Sequence, residues 1–206
     1  MWKFLISLGQ FVVSATRRLL GKSAQRKLAQ MVIEDMLVET DLLAEQLAER
    51  QIRLDEWELS MRNHLKDMYL QEYMLARGGR QNMNNRDYGS LGGMLAEQYR
   101  YLSRFSAEIA SGQLSQGQIA ARSRMYFRSA REAFERAQWR IAREAGLRYV
   151  KWTMNPELEN CPDCIDFASM GWRRAETDPY GGAFPGSGDT VCLTNCGCFL
   201  EYRKRP

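Results

Sequence analysis

Apolar side chains recur every three or four residues through the first three quarters of the chain, without strand-like alternation. Residues 1 to about 150 are therefore predicted to be almost entirely helical. From Leu54, the series Leu54, Trp57, Met61, Leu65, Met68 and Tyr73 follows one helix face. Asp55 and Glu58 stand at capping-box spacing near its start, and Gly78-Gly79 ends it. After a polar turn over residues 81–87, a second series runs through Leu91, Leu95, Tyr99, Leu102, Phe105 and Ile109 to Gly112. A third opens at Ser115, with Gln118 as capping partner, and is predicted to continue as one helix through Ile119, Tyr126, Phe127, Ala130, Phe134, Ala137 and Ile141 to Gly146. Residues 23–53 mix charge with Leu and Met at helical spacing, the pattern of a long helix that contacts its neighbours.

At the N-terminus, the apolar run Phe4 to Val13 is ten residues long and interrupted by Gln10. A membrane-spanning helix needs about 20 such residues. The run predicts instead an amphipathic helix over residues 2–20 that packs on the body or on a partner, with Arg17, Arg18 and Lys22 solvated. A cleavable secretory signal is the competing reading, with Lys3 before the run and Val13-Ser14-Ala15 at its end.

The texture changes at Leu147. Tyr149, Val150, Trp152 and Thr153 are strand formers, so a short strand is predicted within residues 147–154. Residues 178–188 hold two prolines and four glycines and read as loop, and Phe199 to Tyr202 returns as a second strand. The expected fold is mainly α, an elongated helical body with a small C-terminal zinc-stapled α+β lobe. Residues 1–53 are read as partner-contacting N-terminal helices, 54–146 as the helical body and 147–206 as the cysteine-rich lobe.

Composition adds little beyond excluding wholesale disorder, with 45% hydrophobic and 26% charged residues. The net charge of +4 is mild. Its distribution is less so: between Arg122 and Arg148 eight arginines face three glutamates, a local excess of +5. This segment reads either as a solvated helix face with internal ion pairs or as a surface for DNA or an acidic protein ring. Its candidate contact residues are Arg122, Arg124, Arg128, Arg131, Arg136 and Arg140.

All five cysteines fall within the 38 residues from 161 to 198, as Cys161-Pro-Asp-Cys164 and Cys192-Leu-Thr-Asn-Cys196-Gly-Cys198. An odd count with paired short spacings suits metal ligation in a reducing compartment better than a disulfide framework or a redox pair. Cys161 and Cys164 supply one half of a site, and two of Cys192, Cys196 and Cys198 the other. Cys196 is common to both short spacings, and the choice between Cys192 and Cys198 stays open. Four thiolates close a zinc shell and leave no position for a catalytic water, so the expected ion is a structural zinc, one per chain. It would stabilise a lobe too small to hold itself together by apolar burial. His64, the one histidine, reads as a surface or packing residue, and Asp163 and Asp166 as outer or solvated groups. The chain carries no nucleophile elbow, phosphate loop, HExxH motif or carboxylate pair, so no enzymatic activity is expected.

Two stretches carry a resemblance. Asp87-Tyr-Gly-Ser-Leu-Gly-Gly93 runs on through Gln98-Tyr-Arg-Tyr-Leu-Ser-Arg-Phe105 to Gly112-Gln-Leu-Ser115, and Pro185-Gly-Ser-Gly-Asp-Thr190 leads into Cys192, Cys196 and Cys198. Together they resemble tailed-phage head morphogenesis proteins, in particular the F-like minor head proteins of phage Mu, over roughly residues 50–202. That family pairs a CxxC with a later Cys-x-Cys, which falls here on Cys161, Cys164, Cys196 and Cys198. A histidine and proline usually precede its final pair, where this chain has Thr194-Asn195 and the additional Cys192, the mark of a divergent branch. The resemblance implies a virion component assembled in the host cytoplasm, present in multiple copies beside the portal. Its implied partners are the portal or major capsid protein and packaged DNA, and its implied role is head assembly, DNA packaging or ejection. A zinc-ribbon nucleic-acid-binding protein using the basic helix is the alternative.

Overall fold

The computed structural model describes residues 22–205. The predicted helix over residues 2–20 and the signal-peptide alternative lie outside the described residues. Five long helices come first: α1 (Lys22–Ala48), α2 (Leu54–Arg77), α3 (Asn85–Ala110), α4 (Gln116–Arg128) and α5 (Arg131–Glu144). Then follow β1 (Tyr149–Thr153), a two-turn helix α6 (Pro162–Ser169), the two-residue strand β2 (Arg173–Arg174) and β3 (Phe199–Arg203). The protein is mainly helical with a small C-terminal sheet. No helix among the described residues is long and apolar enough to cross a membrane.

The central helix is α2, whose predicted face buries Trp57, Met61, Leu65, Met68 and Tyr73 against α1, α3 and α5. Trp57 meets Phe105 of α3 edge-on at 5.7 Å, and Phe105 stacks on Tyr126 of α4 at 5.9 Å. One face of α1 joins this core through Ala29, Ile33, Met36 and Ala44, while Met31, Val38 and Leu42 remain exposed on it. The Gly78-Gly79 stop forms as predicted. Gly78 takes φ 74°, where a side chain would be strained, and the amides of Gly78 and Gly79 return to the carbonyls of Leu75 and Met74.

Three local details differ from the sequence reading. The cap of α2 sits two residues earlier than Asp55 and Glu58: the Arg53 backbone N–H donates to Glu56 at 2.8 Å, leaving Glu58 to accept from Arg62. The third predicted helix starts at Ser115 as expected, with Ser115 and Gln118 capping each other reciprocally. It then divides into α4 and α5. At the junction the Ala130, Glu132 and Ala133 amides bond carbonyls three residues back rather than four. The Ser129 hydroxyl bonds the Tyr126 carbonyl of its own helix at 2.6 Å and reaches Tyr69 of α2 at 2.8 Å. A serine that ties up its own helix carbonyl competes with the regular ladder, and here α2 supplies the partner that fixes the break. Finally, the two-residue strand β2 has no counterpart in the sequence pattern.

A buried ionic node joins three helices. Asp87, in the first turn of α3, is fully buried and accepts from Arg77 at 2.5 Å and from the Tyr73 hydroxyl at 3.0 Å. Its other oxygen accepts the Asn84 backbone N–H at 3.0 Å, which completes the cap of α3. Arg140 of α5 stands 3.6 Å away, and Arg77 also pairs with Glu144 at the end of α5.

Glu72 of α2 is the opposite case. It is fully buried and, among the described residues, neither carboxyl oxygen meets a hydrogen-bond partner. Burial raises its pKa well above the ordinary value, and Glu135 adds to the shift while Arg131 opposes it. An acid whose folded pKa is raised contributes stability that is complete below the unfolded pKa and is lost as pH rises through the folded one. Glu72→Leu is therefore expected to stabilise the protein by about 1–3 kcal/mol at pH 8 and by less at pH 5. Urea unfolding of both variants at the two pH values checks this. An equal gain at both would show that ionisation of Glu72 plays no part.

Candidate metal centre

The C-terminal sheet has the order β2-β1-β3, with both pairs antiparallel and Trp152 of β1 opposite Leu200 of β3. Alternation along β1 buries Val150 and Trp152 on one face. There Trp152 packs with Phe167 of α6 at 4.9 Å and edge-on with Tyr180 at 5.3 Å, and the Tyr180 hydroxyl accepts the Trp152 backbone N–H at 2.8 Å. This small cluster, separate from the helical core, also contains Cys164, Cys196 and Cys198.

The five cysteines are brought together from three places. Cys161 is the N-cap of α6 and Pro162 its first residue, where a missing N–H costs nothing. Cys164 follows in the first turn, so the CxxC offers both sulfurs from one helix end. Cys192 and Cys196 flank a 3₁₀ turn over Leu193–Asn195, and Cys198 lies at the entrance to β3. Asp163 accepts the Val191 N–H at 2.7 Å, which ties the Cys192 segment to α6. The Cys198 thiol donates to the Asn160 carboxamide oxygen at 3.4 Å, and the Thr190 hydroxyl lies 3.2 Å from the Cys192 sulfur. Cys164, Cys196 and Cys198 are buried, and Cys161 and Cys192 half-buried.

Cys164 is the hub. Its sulfur lies 3.8 Å from that of Cys192 and 3.6 Å from that of Cys196, well beyond the roughly 2.05 Å of a disulfide. Cys161, Cys164 and Cys192 form one trio with all sulfurs within 4.8 Å of one another, and Cys164, Cys196 and Cys198 form a second. The cluster is thus able to hold a metal ion. Burial works against ionisation of Cys161, but the backbone N–H groups of Cys164 and Cys192 and the neighbouring thiols hold its pKa below the ordinary value. Hydrogen bonding from Cys196 brings Cys198 down to about 6, against the opposing effect of burial. Ionisation to the thiolate, the form a metal takes, is eased at Cys161 and Cys198, whereas burial at Cys164 and the hydrogen bond to Cys198 at Cys196 push those two thiols well above the ordinary value.

No known protein family, curated protein or solved structure matches this chain.

The six arginines assigned by sequence to a partner or nucleic-acid surface are all engaged within the chain. Arg122 pairs with Glu108, and Arg124 with Asp41 of α1 at 2.7 and 2.8 Å. Arg136 pairs with Glu132 and lies over the Phe184 ring, and Arg140 donates to the Arg86 carbonyl at 2.9 Å. Arg128 and Arg131 reach the cysteine segment itself, Arg128 bonding the Asn195 side chain and Arg131 the Cys198 carbonyl at 2.8 Å. Gly186 of the glycine-rich loop lies so close to Arg131, with φ 83°, that an added Cβ would stand 3.1 Å from its side chain. Arg26 of α1 donates to the Leu200 carbonyl at 2.6 Å, and buried Glu135 of α5 accepts the Leu200 N–H at 3.3 Å. These contacts dock the cysteine lobe on the helices. Composition could reveal the arginine excess, but the backbone carbonyls that receive it have no sequence signature.

His64 lies on α2 with its ring 6.3 Å from that of Phe127, and burial lowers its pKa. It belongs to neither sulfur trio.

Proposed function

We propose that this chain is a non-enzymatic phage virion protein of the minor-head type, held at its C-terminal end by a structural zinc. It would act beside the portal during head assembly, DNA packaging or ejection, and the portal ring or the major capsid protein would be its partner. The phage assignment rests on the sequence resemblance. The observation that favours it over a zinc-ribbon DNA-binding protein is that Arg122, Arg124, Arg128, Arg131, Arg136 and Arg140 each already bond a carboxylate, carboxamide or carbonyl of the same chain. Zinc is supported by the donor set: both trios consist of thiols alone, with no carboxylate or imidazole.

Two measurements test this. Protein purified under reducing conditions is expected to contain zinc, which Cys161→Ser or Cys196→Ser diminishes. Intact disulfides without metal would refute that. The full chain is expected to bind a portal or capsid assembly with little dependence on salt. Affinity for duplex DNA that falls steeply from low to moderate salt, in the absence of such protein binding, would establish the alternative.

A further inference from the structure

A single tetrahedral zinc places its four sulfurs about 3.8 Å from one another, given zinc–sulfur bonds of about 2.3 Å. Among the described residues, the thiols form two groups of three within 4.8 Å, and no group of four meets that limit. The two groups share one corner, Cys164, which lies at suitable distances from a member of each: 3.8 Å to Cys192 and 3.6 Å to Cys196. The arrangement is two triangles meeting at a vertex.

We propose that the centre takes two zinc ions, with the Cys164 thiolate bridging them. Cys161 and Cys192 join it at the outer ion and Cys196 and Cys198 at the inner one, so each ion has three thiolates and takes its fourth ligand from outside the cysteines. A thiolate sulfur has lone pairs enough to serve two ions, and Cys164 is 1% exposed and surrounded by the other four thiols. Charge favours this reading. Five thiolates around two dications leave a net charge of −1, against −2 for four thiolates around one, and burial disfavours the larger unbalanced charge. It also gives all five cysteines a role, where a single tetrahedron leaves one over.

The two sites differ in surroundings. The inner trio is wholly buried, and the Asn160 carboxamide oxygen beside Cys198 is the nearby oxygen donor. The outer trio includes half-buried Cys161 and Cys192 and is the one accessible to water.

This inference rests on the structural-zinc reading, and cobalt distinguishes failure of one from failure of the other. Anaerobic titration of the full-length, reduced, metal-free chain with Co(II) is expected to raise thiolate-to-cobalt absorbance up to two equivalents. The electron paramagnetic resonance signal is expected to grow up to about one equivalent and then fall, as the second ion couples to the first through the shared sulfur. Native mass spectrometry of the zinc form should show two ions. Cys198→Ser, which leaves the hub and outer trio intact, should reduce the count to one and abolish the fall. Saturation at one equivalent, with a signal that rises and stays, would overturn the paired site while leaving a structural metal in place. Failure to take up any cobalt would overturn both.

Discussion

Asp87→Ala is expected to destabilise the protein by about 3–5 kcal/mol, the range for removing one partner of a buried ion pair. The large value follows from what Asp87 does at once: it receives Arg77 and the Tyr73 hydroxyl from α2, lies near Arg140 of α5 and closes the cap of its own helix. Alanine would take from the Arg77 guanidinium, 6% exposed, its buried carboxylate and leave the half-exposed Glu144. Burial pushes the Asp87 carboxyl up, but the Asn84 N–H, Arg77 and Tyr73 outweigh it and hold the pKa below the ordinary value. The sign follows: the carboxylate contributes stability above the unfolded aspartate pKa near 4, and that contribution is lost as pH falls through the depressed folded value. Urea unfolding at pH 7 and pH 3 should show the gap between wild type and variant narrowing in acid. A cost below about 1 kcal/mol at pH 7 would mean that water replaces the node.

Metal removal is expected to have the larger effect and to act regionally. Structural zinc in small thiolate sites contributes on the order of 10 kcal/mol. Among the described residues, the lobe's buried cluster apart from its cysteines holds Val150, Trp152, Ala175, Tyr180, Ala183, Phe184 and Leu200. Stripping with a strong chelator at pH 7 should therefore abolish hydrogen-exchange protection of the amides paired between Tyr149–Thr153 and Phe199–Arg203. The helices of residues 54–144, with their own core, should remain protected. Loss of protection throughout would show that the lobe and the helical core form one cooperative unit. No loss in the sheet would show that packing on Glu135 and Arg131 is enough.

Much of the helical part could be read from the sequence because periodicity reports burial directly. The Leu54-to-Tyr73 face is the core face of α2, and the glycine stop and the Ser115 cap are local chemistry. The break at Ser129 was not legible, because it depends on Tyr69, which is remote in sequence. Asp87 read as part of a polar turn for a similar reason: its partners at positions 73, 77 and 140 are gathered only by folding. At the candidate metal centre, spacing identifies all five cysteines and leaves the choice between Cys192 and Cys198 open. Their division into two trios around Cys164 depends on how the 3₁₀ turn at 193–195 returns the chain, and spacing does not encode that. The basic segment shows the limit of composition most clearly. Its arginine count was plain, but only the fold shows Arg128 and Arg131 turned onto the cysteine segment.

The contact of Arg26 with Leu200 joins residues 174 positions apart. During synthesis, Arg26 and the helical site at Glu135 emerge long before the strand they receive. The helices can form their own contacts while the chain is still growing, but this docking site stays empty until residue 200 has cleared the ribosome. Until the lobe docks, Glu135 and Trp139 face water on an incomplete surface. Attachment of the cysteine lobe thus covers a helical surface that is made before it.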